Sequence, residues 1–362
     1  MLKVAITSPS LIVEDNVSGI ANHTRLVISA CNSIEFRHVR VGKKDSQNRN
    51  LVWILDQFSV IGKFAFKIVA VDIVHLNIPL ANFSLYINLV LAFVSKLLGK
   101  TLVIHFRGGE LSLKNNHSFL QKLIIGCFLK IADRVISLGE KERQYYGHYN
   151  KNKCISKVMC LPNAVKITKI DEEKLKTKFE GDTLHLVYVG RIDFAKGLKE
   201  IISALQSLDD INYFLHIIGD GPDMSVFKRK LESSIDKRFK LYGVKSIDEI
   251  YSILEFCQIF IMPSHYEGLP NAMLEAMANN VVPIVTPVGS IPEVVSRENG
   301  YLVPVKDPKM LAEIIRLANS DKNSLYLKSL AAQQLIVEQY SIESYIKKLN
   351  EIYHSLLPEI RK

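Results

Sequence analysis

The chain predicts an α/β fold built from two doubly wound, parallel-sheet domains. Short apolar runs with strand character alternate with helical segments along its whole length. The pattern restarts at Leu184 after a charged stretch, and 362 residues are enough for two domains of ordinary size.

Residues 3–7, 34–41, 73–76, 101–105 and 134–137 read as strands, being short runs rich in β-branched and aliphatic side chains. Helices lie between them, notably over 19–31, 82–98 and 118–131. Residues 157–163 read as the last strand of a first domain over 1–165. The charged stretch 166–180 reads as a surface linker. The second domain, 166–340, restarts with a strand at 184–189 and a helix from Leu198. A strand at 214–218, the turn Gly219-Asp220-Gly221-Pro222 and a helix to about Ile235 follow. Ser246 and Glu249 are spaced as a capping box. Strands are expected at 258–262, 282–286 and 301–303, and Asp307-Pro308 opens a further helix. Residues 341–362 are set apart as an amphipathic terminal helix, apolar at Ile346, Leu349, Ile352, Tyr353, Leu356 and Leu357. Doubly wound domains bind ligands at the carboxyl ends of their strands, so two of them facing one another make a cleft.

Composition narrows the functional classes. Hydrophobic residues are 48% and charged residues 23%, a globular balance without disordered tracts. The start reads as a first strand and lacks the layout of a signal peptide. The apolar stretch 83–98 is broken by Ser84, Asn88, Ser95 and Lys96 and is short for a membrane span, so a buried helix is expected. Five cysteines (31, 127, 154, 160 and 257) form no C-x-x-C pair, which points to reduced thiols in the cytosol rather than a zinc site or disulfide frame. Net charge is +9. The cations are spread out and no nucleic-acid motif is present, so nucleic acid is not an expected partner. An anionic membrane surface or a phosphorylated substrate explains the excess as well. Residues 114–130 mix Lys114, Lys122 and Lys130 with apolar side chains. A helix with one buried and one solvated face is favoured there over membrane docking.

The most informative stretch is 264–278, S-H-Y-E-G-L-P-N-A-M-L-E-A-M-A. A buried strand precedes it, Gly268 and Pro270 make a turn, and a helix opens near Asn271. That helix is apolar nearly all round and should be buried, yet it carries Glu275. A buried carboxylate without donors costs several kcal/mol, roughly. Glu267 lies in the loop at the strand's carboxyl end. A single such acid is often a structural ion pair or a solvated loop residue; the two together suggest a site for a hydroxyl-rich ligand. A second loop, Gly190-Arg191-Ile192-Asp193-Phe194-Ala195-Lys196-Gly197, joins a strand to a helix. Two cations, two glycines and a helix N-terminus suit a pyrophosphate, although an ordinary solvated βα loop has the same composition.

The spacing from Glu267 to Glu275 within E-G-L-P-N-A-M-L-E-A-M-A resembles the E-x7-E signature of retaining glycosyltransferases of family four, which have the GT-B fold. The 190–197 loop is similar to that family's G-R-x-x-x-x-K-G loop. The resemblance implies GT-B architecture, with the terminal helix crossing back onto the first domain. It implies a donor of the UDP- or GDP-sugar kind, no cofactor, and a glycan or lipid-linked acceptor in polysaccharide synthesis, met in the cytoplasm or at the inner face of the membrane. By the same likeness Arg191 and Lys196 would bind the diphosphate, and Glu267 a hydroxyl of the transferred sugar. Glu275 would hold the ribose; Gly268, Leu269, Pro270 and Asn271 would offer backbone groups. Gly219 would line the donor site, and Val244 would follow the segment that reads the base. No Asp-x-Asp occurs, so a metal-independent reaction is expected.

The first domain matches less closely. Ser18-Gly19-Ile20 resembles a G-G-I loop with Ser18 in place of one glycine, and Gly19 is expected beside the donor. Where the family has His-Gly on the acceptor side, this chain has Arg107-Gly108, with His105 two residues back. Arginine cannot act as a base near neutral pH. The departure bears on the acceptor contact more than on the chemistry, and a core histidine is an equal reading of His105. A sugar-nucleotide epimerase of similar fold, or a non-catalytic sugar-nucleotide-binding subunit, are the other readings. No G-x-S-x-G, H-E-x-x-H or P-loop motif occurs, and Met224 replaces the third glycine of a dinucleotide fingerprint after Gly219 and Gly221.

Overall fold

The computed structural model describes residues 1–12, 15–16, 18–42, 51–80, 82–108, 118–149, 155–168, 171–235 and 237–356, with 51–58 and 82 described by backbone alone. The chain divides into two compact units, Met1–Ala164 with Ile342–Lys362, and Val165–Ser341.

Unit 1 runs β1 (Leu2–Ser8), α1 (Gly19–Ala30), β2 (Ile34–Arg40), α2 (Leu51–Ile68), β3 (Ile73–Ile78), α3 (Asn82–Leu97), β4 (Thr101–Phe106), α4 (Phe119–Ile131), β5 (Arg134–Ser137), α5 (Glu140–His148) and β6 (Val158–Cys160). Among the described residues its strands pair in parallel in the order β2-β1-β3-β4-β5-β6. Both faces of the central strands are covered, so β3 is buried at every residue rather than alternating. On one face Phe64, Ile68, Leu85, Leu91, Ile124 and Phe128, from α2, α3 and α4, pack on the sheet. On the other face Val27 of α1 meets Val4, Ile73, Val103 and Ile136 of the strands.

Unit 2 runs α6 (Glu172–Glu180), β7 (Leu184–Val189), α7 (Leu198–Leu205), β8 (Tyr213–Ile218), α8 (Met224–Ser234), β9 (Phe239–Gly243), α9 (Ile247–Leu254), β10 (Ile259–Met262), α10 (Asn271–Ala278), β11 (Val282–Val285), β12 (Tyr301–Leu302), α11 (Pro308–Ser320) and α12 (Lys322–Gln339). Its parallel order among the described residues is β12-β11-β10-β7-β8-β9. The chain moves outward from β7 in one direction, then restarts at β10 on the other side. The crevice at the carboxyl ends of β7 and β10 is therefore the topological switch point, where open α/β sheets hold ligands. The last helix, α13 (Ile342–His354), belongs to unit 1, where Tyr345, Leu349, Ile352 and Tyr353 join the α1 face of the core.

The expected elements form with ends shifted by a few residues. The strand expected over 157–163 is shorter, because a 3-10 turn, Ile155–Lys157, precedes β6. Leu357 and Lys114 lie outside the described residues. Two expectations need correction. The stretch read as a linker contains α6, capped by Asp171, whose carboxylate accepts from the Glu173 and Lys174 N–H groups. Leu175 and Phe179 are buried, and Lys178 reaches the C-terminal ends of α9 and α10. Its Nζ donates to the carbonyls of Leu254 (3.0 Å), Asn279 (3.0 Å) and Asn280 (3.1 Å). A cation that satisfies orphan helix carbonyls is a structural clamp, which charge density alone disguised as linker. The helix expected to be buried over 82–98 is buried on one side only, since Tyr86, Val90, Phe93 and Leu97 are exposed. The helix with one buried and one solvated face expected over 114–130 forms as α4, its solvated face carrying Phe119, Leu120 and Leu123 beside Lys122 and Lys130.

Candidate functional site

The site in unit 2 is assembled by backbone before any side chain acts. Beyond β7, Gly190 donates to the Ile218 carbonyl (3.0 Å) and Ile192 to the Asp220 carbonyl (3.0 Å). The Tyr188 hydroxyl donates to the Arg191 carbonyl at 2.7 Å. Asp193 caps the short turn Phe194–Lys196 by accepting from Ala195 N–H (2.9 Å), and Asp223 accepts from Phe194 N–H at 2.7 Å. Asp220 is thus a turn-building residue, its own carboxylate taking the Gly221 N–H at 2.7 Å. From the neighbouring β10 loop, His265 N–H donates to the Ala195 carbonyl (2.9 Å), tying the two loops together.

Close backbone approach explains the glycines. Gly197 has φ +80°, and a Cβ there would lie 2.1 Å from the Pro263 oxygen. Gly219 has φ +134°, and its Cβ would lie 1.9 Å from the Gly190 oxygen. Gly197→Ala or Gly219→Ala is therefore expected to destabilise unit 2 by roughly 2–4 kcal/mol. Gly181→Ala, where a Cβ meets open space, serves as the control. Urea midpoints unchanged by all three substitutions would show that these approaches can relax.

On this frame Lys196 Nζ donates to Glu267 Oε1 at 2.7 Å. The Ser264 hydroxyl donates to the same oxygen at 3.0 Å, and the Tyr266 ring lies 5.8 Å from Nζ. The pair is largely shielded, with side-chain exposures of 23% and 12%. His265 Nε2 meets Glu200 Oε1 at 3.0 Å, anchoring the loop to α7. Arg191 is exposed on the same loop as Lys196. Gly268 is buried and Leu269 is 4% exposed, while Pro270 and Asn271 are half-buried at the start of α10. Pro270, the N-cap residue of α10, makes no side-chain cap, and the first N–H groups of the helix sit at its positive end. Glu275 is half-buried, one turn into α10. Burial pushes its carboxyl up to about 7. Gly219 donates to the Gly243 carbonyl at 2.8 Å, and Val244 is exposed just beyond.

In unit 1, Ser18 caps α1 by accepting from Ala21 N–H, and Gly19 is exposed at the first helical position. His105 is fully buried. Arg107 is engaged within unit 1. It donates through Nη1 to Asn163 Oδ1 (2.8 Å), and Nη2 lies 2.6 Å from His23 Nδ1. His105 Nε2 is 3.4 Å from Nη1. Burial, then the Arg107 charge, holds His23, His75 and His105 well below the usual imidazole range; Ala164 N–H donates to His23 Nε2 at 3.1 Å, and His75 Nδ1 meets the Tyr353 hydroxyl at 2.6 Å. Gly109 and Glu110 lie outside the described residues.

A family model described as glycosyl transferases group 1 matches residues 169–332. Over that stretch the chain is similar to glycosyl transferases group 1. The group 1 match covers the Arg191–Lys196 loop, Glu267 and Glu275. The chain is 27% identical over 202 residues to the capsular polysaccharide biosynthesis glycosyltransferase CapM of Staphylococcus aureus, and spans about half (52%) of that relative's length. It is 24% identical over 332 residues, 84% of this chain and 81% of the relative, to a UDP-Gal:alpha-D-GlcNAc-diphosphoundecaprenol alpha-1,3-galactosyltransferase of Escherichia coli. Anabaena HepE, solved with UDP and glucose, superposes with a TM-score of 0.77 over 98% of this chain and 100% of that one at 14% identity. Sucrose-phosphate synthase from Thermosynechococcus elongatus gives 0.78 over 99% and 100% at 15% identity. The fold is GT-B.

The structure brings Lys196 and Glu267 into contact at the β7/β10 switch point, with Arg191 in the Lys196 loop and Gly268 through Glu275 continuing from Glu267. It places Ser18, Gly19, His105 and Arg107 in the other unit. Sequence reasoning missed Ser264 and His265, which position the Glu267 loop, and Gly289. At φ +56° a Cβ on Gly289 would lie 2.3 Å from the Glu267 backbone carbonyl oxygen. Ser264 and His265 stood inside the stretch singled out, but neither residue type announces a positioning role. It also missed His23 and Asn163, far from Arg107 in sequence and without a local signal.

Proposed function

We propose that the protein is a retaining glycosyltransferase that moves a sugar from a UDP- or GDP-sugar to a glycan or lipid-linked glycan acceptor in polysaccharide synthesis. The Lys196–Glu267 contact of 2.7 Å at the β7/β10 switch point carries the reading. It joins the cation that would meet a diphosphate to the carboxylate that would meet a sugar hydroxyl. Val165–Ser341 acts as the donor unit and the Met1–Ala164 unit as the acceptor unit. The complexes with UDP and glucose of Anabaena HepE and the UDP-galactose donor of the Escherichia coli relative support a uridine donor.

In this reading the diphosphate lies against Arg191, Lys196 and the N-terminus of α10. Departure of the nucleoside diphosphate takes the electron pair of the broken C1–O bond, and the cations stabilise the growing negative charge. The acceptor hydroxyl bonds to C1 from the same face and gives its proton to the leaving phosphate oxygen. No arginine base is required. Glu267 orients the sugar; Glu275 accepts from the ribose hydroxyls. Neutralisation by side chains makes the reaction independent of divalent cations, with the acceptor met in the cytoplasm or at the inner membrane face.

Thermal unfolding with UDP, GDP, ADP and NAD tests the donor site. A nucleoside diphosphate at 100 times its dissociation constant adds about 2.7 kcal/mol of stability. The shift is expected with UDP or GDP, persists in EDTA, and shrinks in Glu275→Ala. No shift with any of them overturns the reading.

A further inference from the structure

We propose that the outer faces of α3 and the N-terminal half of α4, bordered by α2, form a surface that seats unit 1 on an anionic lipid bilayer. On α3 the exposed residues Tyr86, Val90, Phe93 and Leu97 recur at steps of four, three and four, which is a single helical stripe. Phe93 is 46% exposed and Leu97 84%. On α4, Phe119 is 83% exposed and is followed by Leu120 and Leu123, while Phe66, in the last turn of α2, is 84% exposed. The three helices bury their opposite sides in one core against one sheet face, and α3 packs against both α2 and α4. Their free sides therefore turn the same way. Scattered exposed apolar residues are ordinary, but aligned stripes on packed neighbours mark an interaction surface.

Charge selects the occupant. The charged residues of α3 and α4 are Lys96, Lys122 and Lys130, with no acid, and α2 from Ser59 onward carries Lys63 and Lys67. Lys96 is held by Asp133 at 2.9 Å. A second copy placed on this surface by a two-fold axis would set lysines against lysines. Anionic headgroups would instead meet those lysines while the aromatic and aliphatic side chains enter the acyl boundary. No helix among the described residues is long and apolar enough to cross a membrane, so the mode is contact from one side. Seating the acceptor unit on the bilayer would bring a lipid-linked acceptor to it; that purpose rests on the proposed function, whereas the surface itself does not.

Co-sedimentation of the full chain with phosphatidylcholine vesicles, with and without phosphatidylglycerol, tests the surface. Binding is expected to the anionic vesicles at low salt and to fall as salt rises. Phe93→Gln with Leu97→Gln, and Phe119→Gln with Leu123→Gln, should each weaken it about tenfold or more. Lys122→Glu with Lys130→Glu should remove the preference for anionic lipid. Leu317→Gln, an exposed site on unit 2, should leave it unchanged. All variants should keep the wild-type thermal shift with nucleoside diphosphate, which separates failure of this surface from failure of the donor reading and from misfolding. Lack of binding to either vesicle overturns the proposal. So does binding untouched by the paired substitutions, or a dimer of the unaltered chain that they dissociate.

Discussion

Arg191→Ala is expected to lower turnover by about 10²–10³-fold while leaving the fold intact, the scale for losing one preorganised charge stabiliser. The loop does not depend on the guanidinium. Its shape is held by the Tyr188 hydroxyl on the Arg191 carbonyl, by Ile192 on the Asp220 carbonyl and by Asp223 on Phe194 N–H. The side chain is exposed at the carboxyl end of β7. Truncation should therefore act on kcat, since charge on the leaving group grows only as the glycosidic bond breaks. Arg191→Lys should recover part of the loss, because charge returns without the bidentate fork. Lys196→Ala should be more complex: it removes a cation and also strips Glu267 of its 2.7 Å partner, leaving Ser264 alone to hold it. Steady-state kinetics of the three variants beside their unfolding midpoints check this. Full activity in Arg191→Ala sinks the mechanism.

Glu275→Gln should stabilise the ligand-free protein at pH 8 and weaken its nucleotide binding about tenfold or more. The carboxyl stands at about 7 in the folded chain because burial penalises its charge, against 4.5 as its ordinary value. Between those values the folded state holds a proton that the unfolded state has released, so stability falls as pH rises from 4.5 to 7 and is level above. The destabilisation is on the order of 3 kcal/mol above pH 7. The variant should match wild type near pH 4.5, and its advantage should grow up to about pH 7. Donor hydroxyls that give hydrogen bonds favour the ionised form. Nucleotide affinity should therefore increase more steeply from pH 6 to pH 8 in wild type than in Glu275→Gln, where only the nucleotide's own terminal phosphate titrates. Thermal melts and titration calorimetry across that range check both halves. An unchanged melting temperature at pH 8 would remove burial as the cause. A site that costs stability when empty is a common trade for function.

The parts legible in the sequence are those written locally. The E-x7-E stretch and the Gly190–Gly197 loop each lie on one strand–loop–helix passage, where strand ends, turn residues and helix starts are readable. That the two passages are neighbours follows from β10 pairing with β7, which sequence alone does not specify. The α6 misreading has a related cause. Leu175, Lys178 and Phe179 are few apolar contacts among many charges, and the packing of Lys178 on distant carbonyls overrides the local composition. In α3 the apolar pattern runs nearly all round, so it could not tell which side meets the sheet. The partners of Arg107 are gathered from His23, His105 and Asn163, and only the folded chain assembles them.

Because α13 completes unit 1 from beyond Ser341, the two units differ in when they can form during synthesis. The ribosome releases β1 through β6 first, then all of Val165–Ser341, and only then the helix that covers the α1 side of the first sheet. Until it arrives, Val4, Ile73, Val103 and Ile136 lack Tyr345, Leu349 and Tyr353 as cover. Unit 2 is continuous and can close on its own contacts while its predecessor waits with an apolar face bare. Of the two units, the one whose strands are made earlier is thus the later to be finished, and its nascent form is the one that more needs shielding from aggregation.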